Sequence, residues 1–278
     1  QFPHKYFYGT QNENSTGDYM FNTQNCEQCF DVNNAQDCKY TYNSRFIKKV
    51  HDMSTFGSKG GTEFCYENHE IGGGVRNLCF CDQIWQASYN IFYTKLCQQN
   101  SHDLLGCVGL RKASYCIFNK QYSREDYESL RNQLIEHMKK TGEWGEFFPI
   151  SISPYGYNET LAQNYFPLTK EEALSKGYKW KDEELKSPQT GVKDLLLCPK
   201  CNKNFKLVNQ EILFYQKQNL PLPLSCPDCR HWVRMNLRNP RKLWKRSCRE
   251  CGLAIETSYA PERPEPIYCE NCYVKVVN

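Results

Sequence analysis

The sequence predicts a mainly β protein: a β-solenoid (parallel β-helix-like) N-terminal region, capped by a helix and followed by two small four-cysteine modules. Three observations support this fold class. Short apolar segments recur at a nearly fixed spacing, one amphipathic helix follows them, and four Cys-x-x-Cys pairs crowd into the region after Cys198. The 278 residues suffice for two domains, or for one long domain with small modules.

Residues 1–122 consist of short apolar segments separated by polar turns. Successive positions Phe80, Phe92, Leu105 and Ile117 are 12, 13 and 12 residues apart. A fixed period in short strands is typical of a solenoid, in which each coil buries its apolar face against the next. An antiparallel β-sandwich is the alternative, since it also has strands every 8 to 12 residues. We interpret the glycines at 72–74 as a turn or loop insertion, because no phosphate-binding motif follows them.

Nine of the 17 cysteines precede residue 120. Cysteine is small and often fully buried, so we interpret these residues as core thiols of the solenoid. The alternative is a third metal site that uses Cys26 and Cys29 or Cys79 and Cys81.

Residues 123–180 are predicted to hold a capping helix and an irregular, aromatic-rich segment. Ser123 with Asp126 forms a helix-start signal, and Gly142 is a natural stop. One face of this helix carries Tyr127, Leu130, Leu134 and Met138. We expect this face to cover the open end of the solenoid, because an exposed coil end must be covered. Residues 181–197 are charged and contain Pro188 and Gly191, which is typical of a linker.

The four Cys-x-x-Cys pairs predict two metal sites. Two cysteines separated by two residues can direct both sulfurs at one ion, and a second pair then completes a tetrahedron. No His replaces a cysteine, so the sites are closed, and closed sites are structural. Disulfides or free thiols are the alternative. We therefore expect two structural Zn²⁺ ions as cofactors, bound by Cys198, Cys201, Cys226, Cys229, Cys248, Cys251, Cys269 and Cys272.

The first module, residues 198–232, contains Phe205, Glu211 with Phe214-Tyr215, and a closing Cys-Pro-Asp-Cys-Arg that ends at Arg230. In these residues it resembles the bacterial "probable zinc-ribbon" family. One departure is Asn202, where glycine usually follows the first pair; asparagine tolerates the left-handed conformation.

The second module, residues 248–278, is similar to short bacterial modules that end in Pro-x-Tyr-Cys-x-x-Cys-Tyr/Phe. The spacing of the pairs leaves open which of them share a metal ion. The resemblance implies that successive pairs do, and it implies fold and zinc without supplying an activity.

The connector, residues 233–247, lies within a basic segment, residues 230–249, which has eight Lys or Arg residues and no Asp or Glu. Cations bind phosphates and aromatic rings stack on bases, so this composition is typical of a nucleic-acid surface. A solvated basic linker and a surface for an acidic protein are the alternatives. The candidate nucleic-acid contacts are Arg230, Trp232, Arg234, Arg238, Arg241, Lys242, Trp244, Lys245, Arg246 and Arg249.

Composition bounds the location and the partners. No apolar run approaches the roughly 20 residues of a membrane span, so we expect no membrane partner. An odd number of cysteines with metal-type spacing favours a reducing compartment, which indicates a cytoplasmic protein. Residue 1 is Gln, which indicates a fragment or a trimmed chain.

Three functions compete at this point. The first is a non-enzymatic protein that binds nucleic acid, DNA or RNA, through its ribbons and connector. The second is a scaffold for a protein partner, with purely structural metal sites. The third is a carbohydrate-active enzyme, since parallel β-helices often host such sites. We favour a role other than catalysis, because no motif pairs the candidate acids Asp31, Asp52, Glu67, Asp82 and Asp103.

Overall fold

The structure is a computed structural model that describes residues 2–182 and 195–277. Two compact units are present. The first contains the chain up to Ile152 together with the region from Arg241 onward, and the second is Ser153–Pro240. Most of the predicted linker at 181–197 lies outside the described residues. Among the described residues, no helix combines the length and the apolar character needed to cross a membrane.

The first unit is built on a ten-stranded sheet whose strands, between residues 9 and 121, follow sequence order. All neighbouring strands are parallel except the last pair. The prediction of a β-solenoid is confirmed, and the antiparallel sandwich is wrong. The strands of this region are β1 His4–Lys5, β2 Gly9–Glu13, β3 Gly17–Gln24, β4 Cys29–Gln36, β5 Lys39–Phe56, β6 Thr62–Gly72, β7 Val75–Trp85, β8 Tyr89–Phe92, β9 His102–Leu105, β10 Ser114–Ile117 and β11 Lys120–Gln121.

The register of the sheet gives the length of each coil. Gly17 pairs with Cys29, a step of 12, whereas Cys65 pairs with Leu78, a step of 13. The predicted steps from Phe92 to Leu105 and from Leu105 to Ile117 are confirmed.

The step from Phe80 to Phe92 is wrong by one residue. The register partner of Phe92 is Cys79, and the ring of Phe80 instead stacks on Tyr93, with 4.5 Å between centroids. Phe80 is buried, but it packs on Tyr93 and Trp144 and is not part of the solenoid core. In sequence, such a residue therefore looks like a core position.

A three-residue pattern shapes each coil. Strand β5 has 18 residues and would span about 60 Å if it were straight. It bends instead, because a residue with positive φ precedes each buried one. These bends lie at Tyr40, Asn43, Phe46, Lys49 and Asp52, and the buried residues are Thr41, Ser44, Ile47, Val50 and Met53. Asparagine suits such corners, and corner amides bond between coils, as from Asn77 to Asn90 (2.8 Å).

The buried residues of all coils form one continuous core. It contains Val50, Leu78, Ile91 and Leu104 together with eight of the nine N-terminal cysteines; Cys79 is half-buried. Within the described part of the chain, no group of three or more potential metal ligands includes these cysteines. The structure thus places them as core thiols, as predicted.

Helix α1, Arg124–Thr141, covers the C-terminal end of the solenoid as predicted. The Ser123 hydroxyl caps it by accepting a hydrogen bond from the Asp126 N–H, and Gly142 ends it with a φ of 77°. Tyr127 is buried against Leu105 and Ile117 of the last coils. The lid is therefore held by apolar packing.

The second four-cysteine module packs onto the N-terminal end of the solenoid, within the same unit. Strand β1 pairs in parallel with a strand of this module, His4 with Ile267 and Lys5 with Tyr268. In addition, the Ser258 hydroxyl donates a hydrogen bond to the buried Asp18 of β3. The solenoid is therefore covered at both ends.

The second unit contains irregular structure, short helices and the first four-cysteine module. A capping box of Thr169 and Glu172 begins the helix Lys170–Ser175. Tyr157 stacks on Tyr178 with 5.3 Å between ring centroids. The helices of this unit are α2 Leu161–Tyr165, α3 Lys170–Ser175, α4 Asn209–Lys217 and α5 Pro227–Met235, and its strands are β12 Leu196–Leu197 and β13 Asn204–Phe205.

Candidate metal centres and the basic segment

The two four-cysteine modules share one local architecture. In each, the first cysteine pair lies between two short antiparallel strands, and the second pair begins a helix. The first module uses β12, β13 and α5. The second uses β14 Trp244–Ser247, β15 Ala254–Thr257, β16 Ile267–Tyr268 and α6 Glu270–Val277. Strand β14 places the last residues of the predicted connector inside the second module.

The turn after the first cysteine pair is also the same in both modules. Asn202 has a φ of 53° and Gly252 a φ of 71°, and each N–H donates to the carbonyl of the first cysteine, at 2.9 and 3.1 Å. Only glycine and a few residues such as asparagine adopt this conformation at low cost. Asn202 thus occupies the glycine position of the pattern.

The sulfurs are arranged as four-ligand groups of sequential pairs. One group is Cys198, Cys201, Cys226 and Cys229, and the other is Cys248, Cys251, Cys269 and Cys272; within each group the sulfurs lie within 4.8 Å of one another.

The spacing of the sulfurs tests whether one ion fits each group. The Sγ atoms of Cys201 and Cys226 are 3.6 Å apart, and those of Cys251 and Cys269 are 3.7 Å apart. A tetrahedron with metal–sulfur bonds of about 2.3 Å has edges of about 3.8 Å. Both groups could therefore hold a tetrahedral metal ion.

Electrostatics favours a cation at these positions. Burial opposes ionisation of Cys198, but backbone N–H groups, including that of Cys226, point at its sulfur and lower its pKa to about 6. The same balance lowers the pKa of Cys248 to about 6. Hydrogen bonding to the neighbouring thiols Cys201 and Cys269 raises the pKa values of Cys229 and Cys272. Four thiolates in one group therefore require a positive ion to offset their charge.

The two four-sulfur groups are thus the most specific chemical feature of this chain. No model of a known protein family matches the chain, and no curated protein does.

Three cations of the basic segment are engaged within the fold. Arg230 pairs with Glu211 at 3.0 Å. Arg241, whose side chain is 5% exposed, donates to Asp31 at 3.0 Å and to Asn43 at 2.6 Å. Arg246 donates to the carbonyl of Ala260 at 3.2 Å. These three side chains therefore stabilise the fold.

The other cations of the segment are exposed. Arg238 lies over the ring of Tyr165, and Lys242 over that of Trp244, at 5.8 and 5.3 Å. Lys245 lies opposite Glu256 in the β14–β15 hairpin. Both tryptophans, Trp232 and Trp244, are half-buried, and Arg234 and Arg249 are exposed. The boundary between the units falls after Pro240, so the ten candidate residues are divided between them.

Three of the five candidate acids have partners of their own. Asp31 binds Arg241, Asp103 accepts from His102 at 2.8 Å, and Asp82 accepts from His69 at 2.8 Å and also pairs with Lys95. Burial raises the pKa values of the other two, Asp52 and Glu67. Asp82 joins neighbouring coils through His69 and Lys95, and Asp103 accepts a hydrogen bond from Asn90 of the preceding coil. These contacts stabilise the solenoid.

Sequence reasoning missed the contacts that attach the second module. Asp18 and Ser258 are 240 residues apart, and neither lies in a recognisable motif. Tyr6 and Tyr268 pack against the buried cluster that contains the cysteines of this module, and no local sequence pattern predicts this contact. Only a long-range pairing of β1 with β16 makes them neighbours.

Proposed function

We propose that this chain is a zinc-stabilised binding scaffold. Two Zn²⁺ ions hold two structural zinc ribbons, one in each compact unit, and the solenoid presents its sides to a partner. Zinc is the metal that closed sites of four thiolates usually hold. The resemblance of residues 198–230 to the "probable zinc-ribbon" family supports the same metal.

One observation carries this proposal: the second module is bonded into the first coil of the solenoid. Its strand β16 pairs with β1, and its Ser258 binds the buried Asp18. A structural zinc ion contributes on the order of 10–16 kcal/mol in small modules. Metal binding in this module therefore stabilises the end of the scaffold as well as the module.

Metal stoichiometry tests the proposal. Native mass spectrometry of the full chain, after expression with zinc in the medium, is expected to give two Zn²⁺ per chain. Replacing Cys226 or Cys269 by Ser is expected to remove one ion each. Disulfides in place of metal, detected as a mass loss of about 2 Da per bridge on the same sample, contradict the proposal.

Nucleic-acid binding is the second candidate, and the exposed cations favour it. Arg234, Lys242, Lys245 and Arg249 remain at the surface, whereas Arg230, Arg241 and Arg246 serve the fold. Phosphates would be bound by Arg234 in the second unit and by Lys242, Lys245 and Arg249 in the first.

The salt dependence of binding distinguishes the two candidates. If nucleic acid is the partner, affinity for a fluorescent single-stranded oligonucleotide falls steeply with salt. Each phosphate contact removed, as by Arg234→Gln or Arg249→Gln, lowers the slope of log affinity against log salt by about 0.7. Arg246→Gln is the control, and it is expected to leave the slope unchanged. Absence of binding at about 50 mM salt removes this candidate.

A further inference from the structure

One side of the solenoid is interrupted by an inserted loop. The register step from β5 to β6 is 15 residues, from Ile47 to Thr62, against 12 or 13 elsewhere in β3–β10. The extra residues form the loop at 57–61. In repeat proteins, insertions into single repeats often lie on the binding face.

The inserted loop is held firmly in place. Gly57 has a φ of 88°, its N–H donates to the carbonyl of Ile71 at 3.0 Å, and a Cβ there would lie 2.0 Å from the carbonyl oxygen of Arg45. At its other end, the carbonyl of Gly61 accepts from Gly74 at 3.0 Å. The loop is therefore a preformed wall beside Arg45.

A groove of about 580 Å³ lies between this loop and the neighbouring coils. This volume is within the range of about 300–1,000 Å³ that is typical of small-molecule sites. Two cations line the groove, Arg45 and Lys59, and both are exposed. Among the described residues neither makes an ion pair, and the acid that also lines the groove, Asp31, is paired with Arg241. The groove is therefore positively charged.

Aromatic rings and amides complete the lining. Phe21 and Phe46 are half-buried, and Tyr19 is 46% exposed. The amide groups of Asn33 and Asn34 lie in the same groove. Rings of this kind stack on bases, and asparagine amides bond to the edges of bases.

Phe46 occupies a corner where a smaller residue fits better. Its φ is 56°, and the corresponding corners of the two preceding coils are Asn22 and Asn34, whose amides are bonded to each other. A bulky residue in this conformation is unfavourable, whereas asparagine tolerates it. The ring at this corner thus costs stability and adds stacking surface to the groove.

From these observations we infer that the groove binds a nucleoside phosphate. Arg45 and Lys59 bind the phosphate, the rings of Phe21 and Phe46 contact the base, and the amide NH2 of Asn33, whose oxygen accepts from Asn34, donates to the edge of the base. The ligand is either a free nucleotide or the phosphorylated end of a nucleic-acid strand, which present the same chemistry. This inference goes beyond the scaffold function and does not depend on the metal sites.

Isothermal titration of the full, metal-loaded chain with ADP tests the inference. We expect binding that Arg45→Gln and Lys59→Gln each weaken about tenfold, since each removes a charged contact. Arg111→Gln is the matched control, because Arg111 is an exposed arginine of a later coil outside the groove. It is expected to change nothing.

Phe46→Asn separates binding from folding. We expect it to weaken ADP binding while the melting temperature stays equal or rises, because asparagine suits the corner. A 5′-phosphorylated hexanucleotide that binds more tightly than ADP, and loses affinity with Arg45→Gln, assigns the site to strand ends; the reverse order assigns it to free nucleotides. The inference is overturned if neither ligand binds at millimolar concentration, or if Arg45→Gln and Arg111→Gln behave alike.

Discussion

The hydroxyl of Ser258 donates a hydrogen bond to the carboxyl group of Asp18, which joins the second four-cysteine module to the solenoid. The other carboxyl oxygen of Asp18 accepts from the N–H groups of Tyr8 and Tyr19, at 2.8 and 2.9 Å. Asp18 is buried, so the join is a polar contact in the interior of the first unit. The protonation of Asp18 therefore affects the stability of the N-terminal end of the solenoid.

The free energy of unfolding of Asp18→Asn, relative to that of wild type, is expected to increase as the pH rises. Burial raises the pKa of Asp18 despite the hydrogen bonds from Ser258, Tyr8 and Tyr19. The folded state then holds more protons than the unfolded one. The contribution of Asp18 is fully present below its unfolded pKa of about 3.9 and is lost as the pH rises through the folded value. In asparagine, the amide oxygen can accept from both N–H groups, and the amide NH2 can donate to the Ser258 hydroxyl oxygen, without a charge.

Unfolding of wild type and Asp18→Asn by urea between pH 4 and 7 measures this effect. Metal loss in acid affects both proteins equally, so it cancels when their free energies of unfolding are subtracted. If the free energy of unfolding of Asp18→Asn minus that of wild type stays constant or falls with rising pH, the pKa of Asp18 is not raised in the folded state.

Arg241→Gln is expected to destabilise the first unit by about 1.5–3 kcal/mol, the range for hydrogen bonds to charged groups. The change leaves Asp31 and Asn43 without their arginine partner. Arg249→Gln, at an exposed position of the same segment, is expected to cost less than about 0.5 kcal/mol. Chemical denaturation of both variants checks the contrast, and equal effects would show that Arg241 has no anchoring role.

Tyr127 tests the helical lid. Tyr127→Ala removes a ring that is 1% exposed and packs on Leu105 and Ile117, so we expect a loss of about 3–5 kcal/mol. Its hydroxyl is buried with no hydrogen-bond partner among the described residues. Tyr127→Phe is therefore expected to be neutral or slightly stabilising. Thermal unfolding distinguishes the two, and a costly Tyr127→Phe would argue for an unrecognised polar contact.

Asn202 tests the turn of the first module. Asn202→Gly is expected to preserve metal affinity, since Gly252 fills the same place in the second module. Asn202→Ala is expected to weaken metal binding by about 1–2 kcal/mol, because alanine is disfavoured at the positive φ of this turn. Competition with a zinc chelator measures both variants. Equal affinities for the alanine and glycine variants would contradict this role.

Local signals in the sequence were sufficient for the elements that local chemistry determines. Ser123 and Gly142 delimit helix α1 because they satisfy its terminal backbone groups. The cysteine pairs predict both four-sulfur groups because two residues between ligands suffice to direct them at one ion.

Other features were beyond sequence reasoning for physical reasons. The three-residue pattern of the coils is obscured because the interior also holds Thr41, Ser44 and Asn68. The attachment of the second module depends on a pairing between the two ends of the chain, His4 with Ile267, which no local pattern reveals. The division of the basic segment between two units follows from that attachment.

Hydrogen exchange in the first coils tests most directly the claim that metal binding in the second module stabilises the solenoid end. In Cys269→Ser, amides of β2 and β3 are expected to exchange at least about tenfold faster than in wild type. Cys226→Ser, in the module of the other unit, is expected to leave them unchanged. If Cys269→Ser leaves the protection of β2 and β3 intact, the second module is not a structural cap of the solenoid.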